Sequence, residues 1–466
     1  NRLASADAPT REMLMELTGE DVAAAAAGGK HMAQVRKTAR GRTPARPLSA
    51  SGRTAPARTG KQKPPIKKQT QQNGAAMAKQ RKPREKKGLR WTKPSVRALD
   101  RMLLLDIIIL VVFGLIMVFS ASAPAASAYQ NNPYYYIIRQ AIFAAMGLVV
   151  MWVLSYFDYH NFEKFAFLIL VGSFLLLFAV YIPGIGVVRN NARRWINIGI
   201  STLQPSEVVK VAIIIYFAYS LSIVKDKIKK FGAGLLRYLI ILGLFAVVLL
   251  KEPHLSATLV IVAVGCVMLL IAGARFSHFV AMGLCALPVL AFMIYQQPYQ
   301  LERITTFLNP FADVSDTGFQ VVNSLYAIGS GGLFGLGLGM SRQKFLYLPE
   351  PQNDFIFAIV CEELGWVGAA LVLVLFGILI WKGYRIAQEA PDMFGTLLAA
   401  GITSLVAIQV AVNVAVVTSS VPVTGMALPF FSYGGTSLMI LLSCMGILLN
   451  ISRQTVTTIR PPDGKM

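Results

Sequence analysis

Charge is scarce in this chain. Only 15% of its 466 residues are Asp, Glu, Lys or Arg, against 55% hydrophobic, and mean hydropathy is +0.55. A soluble chain of this length would show amphipathic periodicity. Uninterrupted apolar runs of about 20 residues recur instead, which excludes a soluble globular fold. Cysteine is rare as well. Cys266, Cys285, Cys361 and Cys444 all fall in apolar runs, without CxxC or Cys/His spacing, so they read as packing thiols rather than disulfides or zinc ligands. No cleavable signal peptide precedes the first span, and no repeat period marks a transporter of duplicated halves. The run GSGGLFGLGLG, Gly329 to Gly339, lacks GxGxxG spacing and a preceding strand, which excludes a dinucleotide loop. Apolar and glycine-rich, it suits a re-entrant or interfacial helix packed closely on a bundle.

What is present is a basic tail followed by membrane spans. Up to Arg101 the chain carries 24 Lys/Arg against 7 Asp/Glu, which is +17 of the net +22. Beside a membrane such a tail fixes topology and touches anionic headgroups, so nucleic acid is not the expected partner. Residues 1–31, ending in GGKH before Met32, read as a disordered expression scar, and 32–100 as a basic disordered cytoplasmic tail. Residues 101–453 form the membrane domain and 454–466 a cytoplasmic C-terminal tail.

The fold class is all-α and polytopic. Ten spans are expected, at Met102–Ala123, Tyr136–Phe157, Lys164–Ile182, Ser206–Val224, Leu235–Leu250, Ser256–Gly273, His278–Gln296, Phe355–Trp381, Phe394–Ser419 and Thr436–Ile451. With both termini cytoplasmic, the loops holding Lys225 to Arg237, Arg275, and Lys382 with Arg385 all fall inside, as the positive-inside rule requires. Two outer loops stand out. Pro183 to Pro205 holds Arg189, Arg193 and Arg194 on the face that the rule keeps poor in cations. Pro298 to Asn353, between spans seven and eight, exceeds the usual connection length, as functional loops do.

Asp354 follows Pro349 and Pro351 and precedes FIFAIV at the mouth of the eighth span. Asp is a favoured helix cap, so capping stands beside a second reading. There, a partly desolvated carboxylate with raised pKa accepts a proton from a substrate hydroxyl. Glu362 lies about 80° round the helix from Asp354 and about 12 Å deeper, and Glu363 on the opposite face. Glu362 is expected to line a cavity and Glu363 to anchor a neighbouring helix. In RNNARRWINIGISTLQPSEVVK, a capped start at Ser206 explains Pro205 to Glu207. It does not explain Lys210 one turn inside an apolar span, or the outer arginines. Guanidinium groups with a lysine suit a diphosphate, and Glu207 is placed to hold Lys210. In KEPHL, Lys251, Glu252 and His254 read as a boundary turn with a supporting role around the cavity open to them, and Lys251 is a candidate to line it. Gln409 and Asn413 read as helix–helix hydrogen bonds rather than ligands.

RRWINIGISTLQPSEVVK, KEPHLSATLV, GFQVVNSLYAIGSGGLFGLGLG, LPEPQNDFIFAIVCEELG and PVTGMALPFFSYGGTS occur in this order. Together they resemble the SEDS family (shape, elongation, division and sporulation) over about 350 residues. RQKFLYLPEPQNDF is similar to its FtsW-like division and sporulation branch. The resemblance implies a peptidoglycan glycosyltransferase of the bacterial cytoplasmic membrane, at the division or sporulation septum. It would polymerise lipid II, an undecaprenyl diphosphate-linked disaccharide peptide, on the outer face. Its implied partners are a class B penicillin-binding transpeptidase and other divisome membrane proteins. The family's essential aspartate maps onto Asp354, with Asn353 where Thr is common. The outer-loop arginine and the QPSE–lysine motif map onto Arg194, Glu207 and Lys210, with Arg193 beside them. A divalent cation, Mg or Mn, is left open, and no metal ligands are assigned. A lipid II flippase is the alternative, sharing the cavity and cations but needing no proton acceptor.

Overall fold

In the computed structural model, residues 99–455 are described except 190–191, 200, 253, 285–302, 304, 313–317 and 346. The tails expected at 1–31, 32–100 and 454–466 therefore lie almost wholly outside the described residues. The helices are α1 (Arg101–Gln130), α2 (Tyr135–Tyr156), α3 (His160–Phe178), α4 (Pro205–Val224), α5 (Leu236–Lys251) and α6 (Leu255–Ile271). They continue with α7 (Phe319–Gly331), α8 (Ile356–Glu389), α9 (Met393–Val417) and α10 (Gly435–Gln454). Among the described residues seven of these are long and apolar enough to cross a membrane: α1 to α4 and α8 to α10. The seventh expected span is helical over 276–284, and its remainder to Gln296 lies outside the described residues.

Burial sorts the helices into an inner and an outer set. The apolar windows of α9 and α10 are 67% and 72% buried, while those of α2 and α3 are each 28% buried. The outer helices show large apolar side chains such as Ile142, Trp152, Phe167 and Leu168, as lipid contact demands. α10 lies along α2, α9 along α8 and α4, and α6 against α4, α5 and α9. α1 and α8 run beyond their expected ends at Ala123 and Trp381, to Gln130 and Glu389. The apolar run stops at the membrane boundary, while backbone hydrogen bonding carries the helix onward.

Two features go beyond what the spans alone predict, the first where the long loop meets α8. α8 is broken at Gly365, whose φ of 65° and ψ of −165° are not helical. Only glycine fits there, since a Cβ would strike Gly335 N and Leu333 O. In an unbroken helix the amides of Trp366 and Val367 would bond the carbonyls of Glu362 and Glu363. Here they donate to Gly332 O and Leu333 O, at 2.9 and 3.1 Å, and the two carbonyls accept from Leu336 N and Gly337 N, both at 3.0 Å. The glycine-rich run thus satisfies all four polar groups freed by the break, as membrane depth requires. This is the close packing expected of Gly329 to Gly339, with α7 and a backbone-paired strap in place of one continuous helix.

The second addition is a three-stranded antiparallel sheet in the loop between α3 and α4: β1 (Gly186–Arg189), β2 (Ala192–Asn197) and β3 (Thr202–Leu203), in the order β1-β2-β3. Val187 faces Trp195 and Val188 faces Arg193, so Arg194 is the extra residue of a β-bulge. Bulges re-aim side chains, and this one acts at a residue singled out above for its charge.

Candidate active site

Asp354 is not consumed as a helix cap. Phe355 holds the N-cap position of α8, with no side-chain cap bond, so the capping reading gives way. The backbone around Asp354 is held from three directions. Asn413 Nδ2 on α9 donates to Asp354 O at 2.7 Å and to Met426 O at 2.6 Å. Ser432 Oγ donates to Asn353 O at 2.6 Å, and Tyr433 N to Gln352 O at 2.8 Å. Asn413 was expected only to join helices. It ties the loop of Asp354 to the extended segment that follows α9.

That segment passes directly over the carboxyl. Gly425, at φ +70°, lies against it: a Cβ there would meet Asp354 Oδ2 in van der Waals contact at 3.4 Å. Burial raises the Asp354 pKa to about 6; the charge of Glu350 adds to this and that of Arg303 opposes it. Arg303 is half-buried, and its Nη1 donates to Val423 O at 2.6 Å. Sequence reading did not single out Arg303. The available signal was the one used for Arg193 and Arg194, a cation in an outer loop.

A second group of charged residues surrounds the turn between α5 and α6. Arg194 Nε donates to Glu252 O at 3.1 Å. Glu252 is 2% exposed, and burial lifts its carboxyl to about 7 against the pull of Arg194. Burial, aided by the charges of Arg194 and Lys210, depresses His254 to about 3. The ring is therefore neutral, and its Nε2, 3.1 Å from Gln204 Nε2, is the acceptor of that amide. Glu252 and His254 thus form the boundary turn expected of KEPHL, buried against the arginine.

Two expectations need correction. Lys210, expected against a diphosphate, is 4% exposed and paired with Glu207 at 2.8 Å; Ser437 Oγ donates to Glu207 at 3.0 Å. A lysine one turn inside an apolar span is stable only with such a partner, and Glu207 holds it as its spacing predicts. Glu362, expected to line the cavity, is fully buried beneath residues 341–343 and takes its hydrogen bonds from them. Glu363 accepts from Ser120 on α1 at 2.7 Å, the interhelical bond expected of it. Ser206 lies inside the first turn of α4, which starts at Pro205. Arg193 on β2 and Lys251 at the end of α5 are exposed.

One end of the bundle gathers these groups. Ser256, two residues from His254, donates to Thr424 O, and Arg303 donates to Val423 O. The segment over Asp354 therefore joins the carboxyl to the turn that holds Arg194. Lys382, Arg385 and Arg453 lie toward the other ends of α8 and α10, which fits Asp354 on the outer face. A carboxyl that can accept a proton near neutral pH, with the charge of Arg303 acting on it and the Arg194 turn joined to it through residues 423–425, is equipped for transfer from an anionic leaving group.

The family model of the FtsW/RodA/SpoVE cell cycle proteins matches residues 100–457. The chain is 46% identical over 354 residues to stage V sporulation protein E of Bacillus subtilis (strain 168), covering 76% of this chain and 97% of that protein. It is 42% identical over 357 residues to a probable peptidoglycan glycosyltransferase FtsW of Geobacter sp. (strain M18), covering 77% and 97%. Among solved structures it is similar to a chain of a peptidoglycan synthase complex, at TM-score 0.63 and 25% identity over 76% of this chain and 98% of that one. It is also similar to the rod shape determining protein RodA of Thermus thermophilus, at TM-score 0.57 and 25% identity over 77% and 98%. With a match across the whole membrane domain, the chain belongs to the FtsW/RodA/SpoVE family.

Proposed function

We propose that this multi-pass membrane protein is a peptidoglycan glycosyltransferase that polymerises lipid II at the outer face of the bacterial cytoplasmic membrane, with Asp354 as general base. The diphosphate of one lipid-linked disaccharide lies against Arg194 and Arg193. Their charge stabilises the leaving group as the bond from the anomeric carbon to the diphosphate oxygen breaks. The hydroxyl oxygen of the second sugar forms the new bond to that carbon and gives its proton to Asp354. The diphosphate departs with the electron pair. The Glu207–Lys210 pair and the neutral His254 support the arginines from below.

The supporting observation is the environment of Asp354: a carboxyl shielded enough for a raised pKa, pinned through its own backbone, and joined by one segment to the Arg194 turn. Among the described residues no three His, Cys, Asp or Glu side chains are grouped to hold an ion, and the divalent cation, Mg or Mn, stays open. Likeness to a chain of a synthase complex that coordinates polymerization with crosslinking supports a class B penicillin-binding transpeptidase as partner. The likeness to sporulation and FtsW proteins supports a place at a septum, with both tails in the cytoplasm.

The test is purified full-length protein with lipid II in detergent. Glycan strands that disappear in Asp354→Asn, with the fold intact, support the assignment. Strands that persist remove Asp354 from the chemistry, and transport of lipid II without polymerisation by the parent protein would establish the flippase reading.

A further inference from the structure

The chain leaves the bundle at Ser341 and returns at Glu363, with Asp354 between. This excursion is stitched shut at its base by five buried side chains, Ser120, Ser341, Lys344, Glu362 and Glu363. Glu362 and Glu363 are both fully buried, and adjacent helical positions diverge by about 100°, so each takes a different part of the loop. Glu362 accepts from Ser341 Oγ at 2.5 Å and from Arg342 N at 2.9 Å. Glu363 meets Lys344 Nζ at 2.7 Å and Ser120 Oγ at 2.7 Å, and Lys344 Nζ also donates to Ser120 Oγ at 3.1 Å. Lys344 is 3% exposed. Within the loop, Ser341 Oγ accepts from Lys344 N at 3.2 Å and Gln343 O from Leu348 N at 2.8 Å, which carries the constraint toward Asp354.

Stability does not account for this arrangement. A buried ion pair contributes little more than an apolar pair of the same volume, because desolvation offsets the attraction. What it enforces is registry: among the described residues this ammonium and these two carboxylates bond only to one another, to Ser120 and to residues 341–343, so the loop has one seat on α8 and α1. The proposed reaction does not use any of these groups, although they sit eight and nine residues along α8 from its general base.

We propose that Glu362, Glu363, Lys344 and Ser120 form a clamp that positions Asp354 for proton transfer. These are positioning residues, since none reaches the outer face. The inference rests on the reading of Asp354 as the general base. Small displacements of a reacting group cost rate rather than affinity. Loosening the clamp should therefore lower kcat with little change in KM. It should also let water reach the Asp354 carboxyl, moving the acid limb of the pH–rate profile downward from about 6.

The decisive variant is Lys344→Met with Glu363→Gln, which removes both members of the ion pair so that neither is stranded, compared in the full-length protein with the parent and Asp354→Asn. Lipid II polymerisation is followed from pH 5 to 8, together with amide hydrogen exchange over residues 341–355 and thermal unfolding. The expected result is a kcat lower by about ten- to a hundredfold, KM within about twofold, a lower acid limb and faster exchange, with unfolding near that of the parent. Parent-like kcat and acid limb in the folded double variant overturn the clamp while leaving Asp354 in place. Undiminished activity in Asp354→Asn overturns the general base itself, and the clamp's catalytic purpose with it.

Discussion

Asp158 and Asp392 at the inner end and Asp354 and Glu252 at the outer end sit in opposite surroundings. At the inner end, burial alone would raise Asp158 and Asp392, but His160 lies between them, at 2.7 and 3.2 Å. Its hydrogen bonds outweigh the burial and draw Asp158 down and Asp392 to about 2, with Tyr159 adding a bond to Asp392. Lys382 likewise meets Asp100 at 3.2 Å, and Arg385 meets Glu389 at 3.0 Å. At the outer end burial prevails, and Asp354 and Glu252 rise to about 6 and 7 although guanidinium groups stand near both. Pairing fixes the inner loops as structure. Incomplete pairing leaves the outer carboxyls able to exchange a proton at physiological pH.

The comparison breaks if the outer carboxyl is not chemical, and the largest effect is expected there. Asp354→Asn should lower strand formation by about 10²–10⁴-fold, the usual contribution of a general base, with the unfolding temperature unchanged. Next comes the buried ion pair. Lys344→Met alone strands the Glu363 carboxylate and should destabilise the protein by about 3–5 kcal/mol, measured by thermal unfolding in detergent. Arg194→Ala removes a charge-assisted contact and should reduce kcat/KM by about ten- to a hundredfold.

The pH profile sharpens the contrast. Asp354 must be deprotonated to accept a proton, so the rate should climb as pH rises through about 6 and fall away below it. A rate independent of pH between 5 and 7 would refute this. The smallest effect belongs to the inner end. Arg385 is 54% exposed, and Arg385→Ala should shift stability by less than about 1 kcal/mol, with polymerisation unaltered.

Much of the site was legible locally. A carboxylate at the mouth of an apolar helix, and arginines on the face that disfavours cations, each conflict with their surroundings, and such conflict is a local property. Lys210 and Glu362 were misread for a common reason: an ionisable residue inside a span announces importance, but a helical wheel does not say what stands opposite. Glu362 faces the returning loop because α8 breaks at Gly365 and the strap 332–337 pairs with the break. Arg303 and Lys344 sit in a long loop with no periodicity to place them. Asn413 reaches Asp354 from 59 residues away, a meeting no window of sequence contains.

By itself the sequence determined the membrane class, the long apolar helices and the place of Asp354 at the mouth of one of them. Transfer of side chains into lipid sums over about 20 neighbouring residues and depends on little else. Tertiary structure alone decided which charges meet, where α8 unwinds, and that the Asp354 carboxyl lies under Gly425 rather than in open water. Those outcomes depend on how helices pack across the bundle, and a buried charge takes its partner from whichever element arrives there.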